Sequence, residues 1–142
     1  MNWTIFLLVV YTVLVGILTS YGGNVNKTIE NLTLPSYYPP SSVFGIVWSL
    51  LFILFGVFLY YSPLEIQIIG IVYFVLVLLW TPIFVTSGST AAGFYYLLFI
   101  ELLTVLFMVL SYYMSTMWYI LLPQLVWVSF ATLLSYSIYA LN

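Results

Sequence analysis

The chain lacks cysteine and histidine altogether, and in 142 residues it holds one basic and three acidic side chains. Without those two residue types there is no disulfide, no thiol nucleophile, no ordinary zinc site, no His-ligated haem and no Ser-His-Asp triad. With Lys27 as the sole basic residue, nucleic-acid binding has no electrostatic basis. The same scarcity removes the Lys/Arg asymmetry that orients membrane proteins. A soluble domain carries roughly a quarter charged residues. The four charged groups here, Lys27, Glu30, Glu65 and Glu101, cannot cover a water-facing surface.

What is abundant is apolar. Hydrophobic residues make up 65% of the chain, and the mean hydropathy is +1.25. Apolar runs of about 20 residues recur, each long enough to cross a bilayer core as a helix. They lie near 3–21, 42–61, 65–85, 91–113 and 117–141, with one substantial loop at 22–41. The runs are continuous and lack period-two alternation, which argues against a β-barrel. The first run has no basic segment before it and no clear small-residue cleavage site after it, so it reads as a span and not as a secretory leader. The expected architecture is an all-α integral membrane protein, one domain over 1–142, built as a single bundle of five transmembrane helices. It is expected to be multi-pass in the cell membrane, with the lipid bilayer as its surroundings. No internal duplication is visible, and five spans do not divide into equal inverted halves, which lowers the case for an inverted-repeat transporter.

Two features within this apolar background carry chemistry. Glu101 falls near the middle of the fourth run, where an ionised carboxylate is expensive. It reads either as a proton-linked or ligand-contacting group inside the bundle, or as a protonated acid bonded to Thr104, a neighbouring serine or a backbone carbonyl. On that basis Glu101→Gln should preserve folding, and Glu101→Leu should cost roughly 1–3 kcal/mol if a buried partner is stranded. The second feature is the segment Leu34–Pro40, "LPSYYPP", in which three prolines stiffen the backbone immediately before a helix. Beyond it, Phe44, Trp48, Phe52 and Phe55 form an aromatic stripe, with Gly45, Ser49 and Gly56 as a small-residue stripe beside it. On the last run Trp127, Phe130, Ala131, Leu134 and Ile138 share a face. Such faces serve ordinary packing, and converging inward they could also hold a flat apolar ligand. Trp3, Tyr60, Tyr61, Tyr112, Tyr113 and Trp118 sit near span ends as interfacial belt residues. Asn26-Lys27-Thr28 and Asn31-Leu32-Thr33 match glycosylation sequons in the long loop.

Three stretches together carry a resemblance. "LPSYYPPSSVFGIVWSLLFILFG" (34–56) resembles the signature opening the second helix of the TspO/MBR family, the tryptophan-rich sensory or translocator proteins. "LWTPIF" (79–84) is similar to that family's third-helix motif, and "LLPQLVWVSFATLLSYSIYALN" (121–142) to its fifth-helix motif. The resemblance implies a five-helix bundle, often a homodimer, with a pocket near the first loop. That pocket takes porphyrins and, in some members, sterols or synthetic ligands. By position it marks Pro35, Tyr37, Pro39, Pro40, Phe44 and Trp48, then Trp80, Pro82 and Phe84, then Pro123, Trp127, Phe130, Ala131, Thr132, Leu141 and Asn142. Tyr136 falls at a place that is aromatic in relatives.

The chain also departs from that pattern. Tyr37 stands where a Trp is common, and Thr28-Ile29 where Trp-Tyr is usual. Leu34 replaces a common Lys, Val77 a pocket Asn, Gln124 a Tyr, Ser135 a frequent Asn, and Ala140 a basic residue of the proposed sterol pattern. What the resemblance and the aromatic faces imply together is a ligand site made of Tyr37, Tyr38, Pro39, Pro40, Phe44, Phe52, Trp48, Trp80, Phe84, Trp127, Phe130, Ala131, Ser135 and Tyr136. The expected occupant is a hydrophobic small molecule such as a porphyrin or haem-like tetrapyrrole, with no cofactor or metal required. Three functions stay open on this reading: a binding or sensory protein, a light- and oxygen-dependent porphyrin-degrading enzyme, and a transporter using Glu101. A homodimer is expected through a small-residue helix surface, with Gly70 on the third helix as its first candidate.

Overall fold

The continuous apolar runs fold as helices because only a helix pairs every backbone N–H and C=O within its own segment when water is absent. The computed structural model describes residues 3–19 and 22–142, and every regular element among them is helical. In order these are α1 (Trp3–Thr19), α2 (Gly22–Ile29), α3 (Ser41–Tyr60), α4 (Leu64–Leu78), α5 (Trp80–Ser87), α6 (Thr90–Met114), a 3₁₀ turn (Trp118–Leu121) and α7 (Leu122–Leu141).

Four stretches are long and apolar enough to cross a membrane: Ser41–Tyr60, Leu64–Ser87, Thr90–Met114 and Trp118–Leu141. The chain is therefore a multi-pass integral membrane protein. α1 is apolar but shorter, at 17 residues, and positions 20 and 21 of the first expected span lie outside the described residues. Ile46, Leu50, Ile53 and Val57 run along α3 on its exposed side, as a lipid-facing surface requires. Trp3, Tyr60, Tyr61, Tyr112 and Tyr113 are exposed at helix ends.

Three local features differ from the sequence expectation, each for a visible reason. The loop 22–41 begins with a helix, α2, whose Ile29 is buried and which packs on α5. Its Gly-Gly-Asn opening reads as a loop, and tertiary contact overrides that preference. The third span breaks at Leu79 into α4 and α5, because Pro82 has no N–H to offer the carbonyl four residues back. The last helix is preceded by a 3₁₀ turn, and Pro123 sits in its first turn, where a missing N–H costs nothing.

The core is aromatic. Phe55 stacks on Phe74 with centroids 5.4 Å apart, and Tyr73 stacks on Phe107 at 5.0 Å. Tyr11 of α1 presses against Gly56 and donates its hydroxyl hydrogen to the Phe52 carbonyl. Buried polar groups are largely paired: Gln67 Nε2 donates to the Leu59 carbonyl at 2.8 Å, and the Tyr73 and Thr104 hydroxyls meet at 2.6 Å. Gly70 lies inside this core, where an added Cβ would stand 2.7 Å from Leu59 Cδ2. That corrects its assignment to an outer helix surface. The residue is small because three helices converge on it, not because a second chain does.

Candidate functional site

One end of the bundle is hollow. α3 and α6 begin there, α5 and α7 end there, and α2 with the Tyr38 segment lies over it. The cavity measures about 390 Å³, within the range of about 300–1,000 Å³ typical of small-molecule sites. Phe44, Gly45, Trp48, Ser49 and Phe52 of α3 form one wall, following the i, i+4, i+8 repeat of a single helix face. Trp80, Thr81 and Phe84 of α5 form a second, with Val77 of α4 below them. Leu97 and Ile100 of α6 and Val128, Ala131, Leu134, Ser135 and Ile138 of α7 complete the ring. Val25, Asn26 and Ile29 of α2 close the top.

The walls are held by specific contacts. Trp80 stacks on Phe84 at 5.1 Å and 15°, and its indole N–H donates to the Gly93 carbonyl at 3.0 Å. Gly93 must be small here, since an added Cβ would come within 2.8 Å of Phe84 Cδ2. Trp48 meets Trp127 edge-on, with centroids 6.4 Å apart at 86°, and Phe44 meets Trp127 at 5.8 Å. Tyr38 rests against Phe44 at 5.3 Å, and burial raises its phenol above the ordinary value, so it stays a hydrogen-bond donor at neutral pH.

The covering loop is fastened at two points to the end of α7. The Tyr37 and Ser137 hydroxyls hydrogen-bond to each other. The Thr33 N–H donates to Asn142 Oδ1 at 2.9 Å, while Asn142 Nδ2 donates to the Thr33 carbonyl at 2.8 Å. The proline-rich segment is thus a strap anchored by side chains from the opposite end of the sequence.

Of the residues singled out from the sequence, Tyr38, Phe44, Trp48, Phe52, Trp80, Phe84, Ala131 and Ser135 border the cavity. Trp127 stands behind Trp48, Phe130 packs on Trp127 at 5.4 Å, and Tyr37 turns away to Ser137. Pro39 and Pro40 lead into α3 without bordering the cavity, and Tyr136 is exposed beside Phe94. Of the α7 face read in the sequence, Ala131, Leu134 and Ile138 border the cavity, while Trp127 and Phe130 give way to Val128 and Ser135. The small-residue stripe of α3 also divides: Gly56 admits Tyr11, whereas Gly45 and Ser49 leave space that belongs to the cavity.

Glu101 does not border the cavity. It lies at the seam of α6 and α7, where the Ser129 hydroxyl stands 2.7 Å from Oε1. Ser129 is exposed, whereas the other carboxyl oxygen, Glu101 Oε2, is buried with no partner among the described residues. Sequence reasoning missed Val25, Asn26 and Ile29, because their helix was read as loop. It also missed Leu97 and Ile100, which carry no signal beyond being apolar.

With this geometry in place, comparison with known proteins adds one finding. The sequence profile of the TspO/MBR family matches residues 4–141, essentially the whole chain. Curated protein sequences show no match to it.

Proposed function

The chain belongs to the TspO/MBR family, and from that premise we propose that it binds porphyrin- or tetrapyrrole-type hydrophobic ligands in the cavity under its first loop, in a sensory, regulatory or transport role. The observation that carries this reading is the cavity itself: about 390 Å³, walled by Phe44, Trp48, Trp80 and Phe84, and strapped over by a fastened loop. Rigid aromatic walls suit a flat apolar molecule, because they bury its faces with little ordering cost. The volume lies toward the small end of the usual range, so a macrocycle enters edge-first with its rim extending beneath Tyr38 and α2. α1 serves as the fifth span, and a homodimer forms through outer helix surfaces that exclude Gly70. Glu101 lies outside the cavity with Oε1 on the Ser129 hydroxyl, so the cavity's lining does not favour transport through it.

Titration of the purified protein with protoporphyrin, followed by quenching of tryptophan fluorescence, tests the reading. Trp48→Leu should weaken binding about tenfold, since it removes a stacking surface on the cavity wall. Unchanged affinity in that variant would show that the ligand sits elsewhere.

A further inference from the structure

We infer that the cavity selects uncharged ligands: flat apolar molecules whose polar atoms accept hydrogen bonds, with no anchor for an anionic group. This deepens the ligand reading above and rests on it. None of the described residues bordering the cavity is charged. The four charged groups of the chain are all accounted for elsewhere. Lys27 is exposed on α2 and does not border the cavity: it stands about 100° around the helix from Asn26 and about 160° from Val25 and Ile29, which do. Glu30 and Glu65 are exposed outside the cavity, and Glu101 is held at the α6–α7 seam by Ser129.

The backbone supplies no net positive field either. α3 and α6 present their positive ends to this end of the bundle, but α5 and α7 bring their negative ends to the same place, and these half-charges oppose one another. At α6 the Ser89 hydroxyl already accepts from the Ala92 N–H at 3.1 Å. A carboxylate drawn into this space would lose its water and find no cation to replace it. Acidic ligands must therefore leave their charged arms outside.

What the cavity does offer is neutral polar groups: the Asn26 amide at the top and the hydroxyls of Tyr38, Ser41, Ser49, Thr81, Thr90 and Ser135. Ser49 is committed to the Gly45 carbonyl at 2.7 Å, and the Trp80 N–H to Gly93. Tyr38, Thr81 and Ser135 border the cavity from three different walls, and none has a side-chain hydrogen bond among the described residues. They are placed to donate to a carbonyl, an ester or a ring nitrogen.

Protoporphyrin and its dimethyl ester share one macrocycle and differ by two charges, so they isolate the point. Each is titrated against the full chain in zwitterionic lipid nanodiscs, with protein-free discs correcting for partition. The ester is expected to bind at least as tightly as the diacid. Raising salt from about 50 to about 500 mM should change the diacid's affinity less than about twofold, and Lys27→Gln should leave both affinities unchanged. The double variant Thr81→Val, Ser135→Ala should weaken the ester about tenfold. A diacid that binds more tightly than its ester, or that weakens with salt or with Lys27→Gln, overturns this inference alone, because its binding still upholds the ligand reading. An ester unaffected by the double variant overturns the role given to the hydroxyls. Failure of both porphyrins to bind overturns the ligand reading and this inference together.

Discussion

The seam between α6 and α7 allows a prediction whose sign is decided by counting hydrogens. Ser129 Oγ stands 2.7 Å from Glu101 Oε1 and 2.8 Å from the Leu125 carbonyl, yet a hydroxyl has one hydrogen. Ser129 is the donor to both acceptors, so its one hydrogen is shared between the carboxylate oxygen and the Leu125 carbonyl. Glu101 Oε2, by contrast, is buried with no partner among the described residues. Removing the acid therefore strands nothing, since Ser129 keeps Leu125, and it relieves an unmet oxygen. We expect Glu101→Leu to change stability by less than about 1 kcal/mol, below the 1–3 kcal/mol that a stranded partner would have cost. Removing the hydroxyl is the harmful change. Ser129→Ala leaves both carboxyl oxygens unmet, and hydrogen bonds between membrane helices couple by about 0.6 kcal/mol on average and about 1.7 at most, so we expect a loss of about 1 kcal/mol. On the Glu101→Leu background the same serine substitution should be nearly free. Reversible unfolding by SDS titration in mixed micelles, read by tryptophan fluorescence, measures all four corners of the cycle. A leucine variant less stable than the alanine variant, or a coupling near zero, would refute the argument.

Two further expectations concern the core and the strap. Gly70→Ala puts a methyl group 2.7 Å from Leu59 Cδ2 and 3.2 Å from Phe107 Cζ, both on buried side chains, and should cost about 1–3 kcal/mol in the same unfolding assay. Asn142→Ala removes three hydrogen bonds, two to Thr33 and one to the Ile138 carbonyl. Amide exchange near Thr33 should then rise about tenfold by mass spectrometry, and bound porphyrin should dissociate faster.

The helices were legible because hydropathy and length are local properties. An apolar run about 20 residues long with at most one charged residue has few other fates in lipid, and the four long spans appear close to where composition puts them. Local rules also account for the break before Pro82 and for Pro123 in the first turn of α7, although neither was anticipated. α2 was hidden because its sequence, GGNVNKTI, argues for loop, and only burial of Ile29 and contact with α5 stabilise it as a helix. Gly70 was misread for a related reason. A small residue on a membrane helix signals close approach, but the sequence does not say whether the approaching group belongs to the same chain.

The site was less legible than the fold, and the residues that misled explain why. Trp127 and Phe130 drew attention because aromatic side chains bury the most area, yet area is also what makes a good buttress, and here they support Trp48 and Phe44 from behind. A cavity exists where side chains stop short. Gly45, Ser49, Ala131 and Ser135 therefore define its space better than any tryptophan does, and they carry little signal one at a time. Taken by helix face the signal improves: Ala131, Ser135 and Ile138 recur at i, i+4 and i+7 on α7, turned about 20–80° round the helix from Trp127. The same reasoning applies to the polar content. Val77 borders the cavity where the resemblance implied a pocket Asn, and Ser135 where another amide is frequent, so two amides have given way to a methyl pair and a smaller hydroxyl. Both changes lower polarity without adding charge, and the hydroxyls that remain set what a ligand must present.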